Sequence, residues 1–314
     1  MAKSSSLKKI FAACSIIIII LFSYHIYPAP IVNNYYHLSA MLARLEKKTI
    51  RIDGYTIHYY EGKKSYEKDT LLLLHGLGDD KNSFVLSAKN LSDKYNVILP
   101  DLLGHGENER INDVDYSIEA QAKMLRKLVQ AKNIERLHLG GNSMGGHIAL
   151  SYGTRYQEGL KSLILINAPG VKVDDHEVYK SYIDNIETEE DLNVILRKIF
   201  YKVPELPKPF KVYKIKELNY NRNFINTIVI PRIKNSEDFD LIDKLSNIST
   251  STLILWGKHD EIVRYNVAEQ YAKSIPNTTL FVMDQAAHSP QLEVPQEVSA
   301  QIDAFIKKLS GSKT

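Results

Sequence analysis

The chain has a single cysteine, Cys14, so no disulfide can form within it, and it has no CxxC pair or Cys/His cluster spaced for a structural zinc. A large excess of charge of either sign is also missing. Lysine and arginine number 40 against 37 acidic residues, and the net charge of +3 gives no footprint for nucleic acid. Internal repeats and low-complexity tracts are absent. Hydrophobic residues make up 44% of the chain and charged residues 25%, which excludes a disordered protein and suits one that buries a full core. A length of 314 residues corresponds to one large domain or two ordinary ones.

One long apolar run is present. Lys3, Lys8 and Lys9 precede a stretch from Ile10 to Tyr27 that includes five consecutive isoleucines, Ile16–Ile20. A basic start followed by an apolar run is the pattern of an export signal or a membrane anchor. Its 18 residues sit at the short end of what spans a bilayer. The exit Tyr27-Pro28-Ala29-Pro30 is a poor site for a signal peptidase, so residues 1–30 read as an uncleaved anchor, with a removed signal peptide as the alternative. The lysines before the run place the rest of the chain on the extracytoplasmic side. Residues 31–48 read as a linker.

From about residue 49 the pattern is strand, turn, strand. Thr49–Ile52 and Tyr55–Tyr60 flank Asp53-Gly54, a type I′ hairpin signal because both central residues need positive φ. Thr70–Leu74 is a continuous apolar run, as expected of a strand buried on both faces. Helical spacing over 83–95 leads to a strand at 96–99, then a helix over 117–131 that Ser117 can cap. Strands at 136–139 and 161–166 enclose a helix over 144–156. After a break, a strand at 251–256, a helix near 266–274, a strand at 278–283 and a helix over 296–309 complete the chain. Short apolar strands alternating with helices predict an α/β fold with a mostly parallel sheet. The core is then residues 49–169 and 251–310. Residues 170–250, with helical spacing broken by Pro204, Pro207, Pro209 and Pro231, form a helical cap inserted in it.

Gly141-Asn142-Ser143-Met144-Gly145 matches G-x-S-x-G and lies between a predicted strand and a predicted helix, the context that motif requires. The chain must turn sharply there, and glycines remove side chains that would strike neighbouring backbone. Ser143 then projects from the carboxyl end of the sheet at a helix N-terminus, where amide groups favour negative charge. A serine hydroxyl needs a base to take its proton. Such sites run serine, acid, histidine along the chain. Of the ten histidines, His288 follows the last predicted strand and fits that order; His259 is the rival. Asp260 ends the turn after the strand at 251–256, on the same side of the sheet as Ser143, and would accept the His288 Nδ1–H. Asp284 and Glu261 are alternatives for the acid. His75-Gly76-Leu77-Gly78 follows the first buried strand. The amides of Leu77 and Met144 are the expected donors to an oxyanion, with His75 a brace for that loop. This chemistry requires no cofactor and no metal.

The segments at 75–84 (HGLGDDKNSF), 98–108 (ILPDLLGHGEN), 139–150 (LGGNSMGGHIAL) and 253–290 (LILWGKHDEIV…AAHSP) together resemble the α/β-hydrolase fold over about residues 50–309. Within it the chain is similar to bacterial triacylglycerol lipases of the Psychrobacter and Moraxella type and to the membrane-anchored monoacylglycerol lipases of animals. The resemblance implies an ester hydrolase with Ser143, Asp260 and His288 as its triad and Leu77 and Met144 as oxyanion donors, under a cap formed by 170–250. Two other readings remain open: a C–C bond hydrolase of meta-cleavage products, since G-N-S-M-G-G also occurs there, and a non-catalytic binding protein on the same fold. The insertion is rich in rings, namely Tyr179, Tyr182, Phe200, Tyr201, Phe210, Tyr213, Tyr220 and Phe224, which either line an apolar substrate pocket or fill the cap's own core. Between Arg197 and Lys216 seven residues are basic and one acidic, a composition that can rest on anionic lipid or form a solvated face. Small acyl esters or lipids met at a membrane surface are the expected substrates.

Overall fold

The computed structural model describes residues 28–174, 178–180 and 186–311. The expected anchor at 10–27 and the ring of Tyr182 lie outside the described residues. Among the described residues no helix is long and apolar enough to cross a membrane.

The strands are β1 (Leu45–Ile52), β2 (Tyr55–Gly62), β3 (Thr70–Leu74), β4 (Asn96–Pro100), β5 (Leu137–Asn142), β6 (Leu160–Ile166), β7 (Thr252–Gly257) and β8 (Thr278–Met283). They form one sheet in the order β1-β2-β4-β3-β5-β6-β7-β8. β1, β2 and β4 pair antiparallel, and every pair from β4 to β8 is parallel. The hairpin turn is as the Asp-Gly pair requires, with Asp53 at φ 50° and Gly54 at φ 87°. Strands β3, β4, β6 and β7 carry apolar residues on both faces, and alternate positions separate into two cores. Leu72, Leu74, Leu163, Leu165, Ile254 and Trp256 face one way, against the helices α3 (Ile118–Ala131), α4 (Met144–Arg155) and α8 (Tyr265–Ser274). Leu71, Leu73, Ile164, Ile166, Leu253 and Leu255 face the other, against α2 (Val85–Ala88) and α10 (Pro295–Gly311). Strands therefore end in register along one carboxyl edge, where the loops after β3, β5, β7 and β8 emerge.

Two expectations need correction. The stretch read as a linker, 31–48, contains all but the first three residues of helix α1 (Pro28–Leu42) and the start of β1. Ala40 on α1 and Ala43 just after it sit in the second core, while Tyr35, Leu38, Met41 and Leu42 stay exposed. Apolar residues on both sides of the helix erase the stripe that marks a helix in sequence. The helix read over 83–95 is a 3₁₀ turn, Lys81–Phe84, capped by the Asp80 side chain, followed by only four helical residues and a run of turns. Asn90, Ser92 and Asp93 favour such turns over helix.

The insertion between β6 and β7 divides into two layers. α5 (Glu189–Ile199), opened by a Thr188/Asp191 capping box, and α6 (Lys208–Phe224) pack on each other through Ile186, Leu192, Leu196, Ile215 and Leu218. Beyond them a π-helical turn, Ile225–Val229, and α7 (Ile230–Lys234) sink into the main core through Ile225, Val229, Ile230 and Ile233. His147 on α4 ties this lower layer down. Its Nδ1 accepts from the Tyr179 hydroxyl at 3.0 Å and its Nε2–H donates to the Asp238 carbonyl at 2.7 Å. Burial pushes the His147 imidazole down to about 4, and the ring is neutral.

Because the folded value lies below the ordinary histidine value, His147 contributes full stability above about pH 6.5 and loses it as pH falls toward 4. His147→Leu strands the Tyr179 hydroxyl and the Asp238 carbonyl and is expected to cost about 2–4 kcal/mol at pH 7.5. Urea unfolding should show that the margin of wild type over variant narrows between pH 7.5 and 4.5. A margin independent of pH refutes the linkage.

Candidate active site

Ser143 stands between β5 and α4 at φ 53°, ψ −124°. A left-handed, non-glycine residue of this kind costs about 1–3 kcal/mol and survives only where its surroundings enforce it. Here close packing enforces it. A Cβ on Gly145 would lie 2.3 Å from the Leu74 carbonyl oxygen, and one on Gly141 would lie 2.4 Å from the Gly145 carbonyl carbon. The elbow therefore presses directly on the end of β3. Met144 is the first residue of α4, so its N–H has no acceptor within the helix. Gly76, Leu77 and Gly78, from the loop after β3, line the same cavity as Ser143.

The loops after β7 and β8 bring Asp260 and His288 together. His288 Nδ1 lies 2.8 Å from Asp260 Oδ2, and both side chains are buried. Asp260 accepts four hydrogen bonds: Oδ2 from His288 and from the Asn167 amide at 2.6 Å, Oδ1 from the amides of Ile262 at 2.7 Å and Val263 at 2.9 Å. A carboxylate filled on every side cannot swing away, and the bond at Nδ1 leaves Nε2 as the proton acceptor. His288 lines the cavity that Ser143 enters. The Asn142 amide, next to Ser143, donates to the His288 carbonyl at 2.8 Å and so ties the elbow to the histidine loop.

The rivals stand elsewhere. The exposed His259 ring stacks on Tyr201 at 4.1 Å, and its Nε2 bonds the Asp284 carbonyl. Asp284 pairs with Lys258 at the surface, and Glu261 is exposed. His75 is a brace, as its position suggests. Its Nδ1–H donates to the Gly76 carbonyl at 2.8 Å and its Nε2 accepts from Leu102 N–H at 3.0 Å. Burial lowers its pKa, so it is neutral.

Several supporting residues around the site were given no role by the sequence. Asn167 holds both Asp260 and the Gly257 amide. Its signal, a polar residue ending the apolar run of β6, becomes legible only once β6 is known to lie between β5 and β7. Lys81, almost fully buried, pairs with Asp101 at 2.7 Å and Glu107 at 3.0 Å. Burial, and then the charges of Asp79 and Asp101, push the neighbouring Asp80 carboxyl up to about 7.

Of the rings in the insertion, only Tyr179 and Phe200 among the described residues line the cavity. Phe200 also packs in the cap core, Phe224 packs on Tyr116, and Tyr220 is 80% exposed. The upper walls instead combine the aliphatic Ile186, Ile195, Leu196, Ile199, Leu218 and Leu292 with the cationic Lys198, Lys214 and Arg222. Among the described residues no cluster of histidine, cysteine, aspartate and glutamate could hold a metal ion.

Asn167→Ala removes one of two donors from Asp260 Oδ2 and the acceptor of the Gly257 amide. The variant is expected to lose about 1–3 kcal/mol in urea unfolding. Its Ser143 should react about tenfold more slowly with a fluorophosphonate, a probe of serine nucleophilicity. Wild-type labelling kinetics in this variant would mean that Asp260 needs no support from β6.

A family model described as the alpha/beta hydrolase fold matches residues 69–295. Lipase 1 of Psychrobacter immobilis is 30% identical, over 83% of this chain and 84% of its own. Human monoacylglycerol lipase ABHD6 is 22% identical, over 90% of this chain and 89% of its own. The crystal structure of a membrane phospholipase A, described as a bacterial virulence factor, superimposes with a TM-score of 0.84 at 28% identity, covering 96% of this chain and 99% of that one. With the strand order, the elbow and the family match in agreement, the chain belongs to the α/β-hydrolase fold family.

Proposed function

We propose that this protein is a serine-dependent carboxylic ester hydrolase, a lipase or esterase that works through an acyl-enzyme. The observation that carries the reading is the 2.8 Å bond between His288 and Asp260 beside a cavity that Ser143 shares. Ser143 Oγ attacks the ester carbonyl carbon as its proton passes to His288 Nε2. Asp260 stabilises the resulting imidazolium. The carbonyl oxygen becomes an oxyanion held by the N–H groups of Leu77 and Met144. When the intermediate collapses, the C–O bond to the alcohol breaks and His288 returns its proton to the leaving oxygen. Water then attacks the acyl carbon as His288 again takes the proton; the C–O bond to Ser143 breaks, His288 returns the proton to Ser143 Oγ, and the acid departs. No cofactor or metal takes part.

For the substrate, we infer monoacylglycerols or short-to-medium acyl esters in preference to long triacylglycerols. The aliphatic residues of the upper walls suit an acyl chain, and relatives named as lipases and as monoacylglycerol lipases support the same class. An extracytoplasmic site at a membrane surface fits the basic, apolar start of the chain, and the membrane phospholipase A among the similar structures supports that placement. A second reading has one observation in its favour. Lys198, Lys214 and Arg222 also line the cavity, and cations there suit a substrate carboxylate, as a C–C bond hydrolase of meta-cleavage products would need.

Fluorophosphonate labelling should be strong in wild type and absent in Ser143→Ala, which separates an enzyme from a binding protein. Ser143→Ala and His288→Ala should each lower kcat on p-nitrophenyl butyrate by about four to six orders of magnitude, and Asp260→Asn by about four. Negligible rates on all p-nitrophenyl esters, with turnover of a vinylogous diketone acid, would favour the C–C hydrolase. Equal rates on emulsified long-chain triacylglycerol and on monoacylglycerol would overturn the preference for small acyl esters.

A further inference from the structure

The cap touches the histidine loop at one short segment, residues 199–201, where α5 ends. Three links hold it. The His288 N–H donates to the Ile199 carbonyl at 3.0 Å. The Tyr201 ring lies flat on the His259 ring, one residue before Asp260, with centroids 4.1 Å apart and planes 13° apart. The third link is Glu293, at the end of the short helix α9 (Pro290–Glu293). Its Oε1 accepts from the Ala287 N–H at 2.8 Å, and its Oε2 accepts from the Tyr201 N–H at 2.6 Å. One carboxylate thus holds the residue before His288 with one oxygen and the cap with the other.

The chemistry of the side chain fits that bridge. Two N–H groups on separate segments both need an acceptor, and a carboxylate offers two oxygens that never act as donors. Hydrogen bonds to a charged acceptor are stronger than those between neutral groups. Burial, with a smaller push from the Asp260 charge, holds the Glu293 carboxyl above its usual range, while the amides of Ala287, Tyr201 and Ser289 draw it back. A half-buried carboxylate is costly unless its oxygens are satisfied, and these two are. On the cavity side of the bridge, Ile199, Phe200 and Leu292 line the space above Ser143. Wall and base therefore share a support.

We propose that Glu293 is a positioning residue whose carboxylate locks the rim of the cap to the His288 loop, so that acyl-chain binding and proton transfer rest on one clamp. The assignment rests on the ester-hydrolase reading above. Glu293→Gln keeps the size but turns one acceptor into an NH₂ that faces an N–H, breaking one half of the clamp. Glu293→Asp keeps two acceptor oxygens on a stem one methylene shorter.

The test uses the full-length chain in detergent, as wild type, Ser143→Ala, Glu293→Gln and Glu293→Asp, on p-nitrophenyl acetate and octanoate, with thermal unfolding of each. In Glu293→Gln, kcat on acetate should fall about tenfold with its KM within about twofold, because His288 is less well held. KM for octanoate should rise about threefold or more, because only the longer chain reaches Ile199 and Phe200. Glu293→Asp should recover part of the lost kcat. A Glu293→Gln kcat on acetate within twofold of wild type overturns the assignment, as does a loss that merely tracks the fraction of folded protein. Activity in wild type with silence in Ser143→Ala leaves the hydrolase reading standing whatever Glu293→Gln does. An inactive, unlabelled wild type refutes that reading and this assignment together.

Discussion

The hydrogen bond between His288 and Asp260 sets the terms for everything around it. It joins two loops that leave neighbouring strands, β8 and β7, at the same carboxyl edge. A parallel sheet makes such a meeting possible, because every strand that runs the same way delivers its following loop to the same edge. The bond also decides chemistry. Nδ1 is committed to Asp260, so the imidazole can accept a proton only at Nε2. Four donors around Asp260 keep the carboxylate from choosing another partner. Rigidity at this point comes from saturation of hydrogen-bonding capacity rather than from any one strong contact.

The elbow is the complementary constraint. Ser143 occupies an unfavourable backbone conformation, and the surrounding main chain leaves it no other, since Gly141 and Gly145 bring α4, β3 and β5 within contact distance of each other. The strain is local, and it is offset by a core in which Leu72, Leu74, Leu163 and Leu165 are fully buried on one face of the sheet and Leu71, Leu73, Ile164 and Ile166 on the other. The insertion adds a roof in two parts. Its lower layer belongs to the main core through Ile225, Val229 and Ile233, whereas its upper layer has a small core of its own and meets the histidine loop at Ile199–Tyr201.

Much of this was legible in the residues. Asp53-Gly54 announces the first hairpin, since both residues adopt the positive φ that such a turn demands. The G-x-S-x-G stretch, read between an apolar strand and a helix, led to Ser143, and loop order led to Asp260 and His288, which the structure brings within 2.8 Å of each other. Less legible was α1, whose outward Tyr35, Leu38 and Leu42 hide its helical period. The rings of the insertion were a poor guide to the cavity, because an aromatic side chain reads the same in a small core, on a surface or in a binding wall. Only packing distinguishes Phe224 against Tyr116 from Phe200 beside the cavity.

By itself, the sequence determined the α/β alternation, the elbow and the order along the chain of Ser143, Asp260 and His288. Each of these is local: apolar periodicity, glycine at a sharp turn, a polar residue just past a strand. Tertiary structure alone decided which polar residues support them. Asn142 reaches the His288 loop, Asn167 reaches Asp260, and Glu293 joins Ala287 to Tyr201. These partners are 146, 93, 6 and 92 residues apart along the chain. A hydrogen bond is set by distances near 3 Å in space, roughly, and has no memory of sequence separation. Until the strand order is known, an asparagine after β6 or a glutamate in a four-residue helix carries no mark of what it holds.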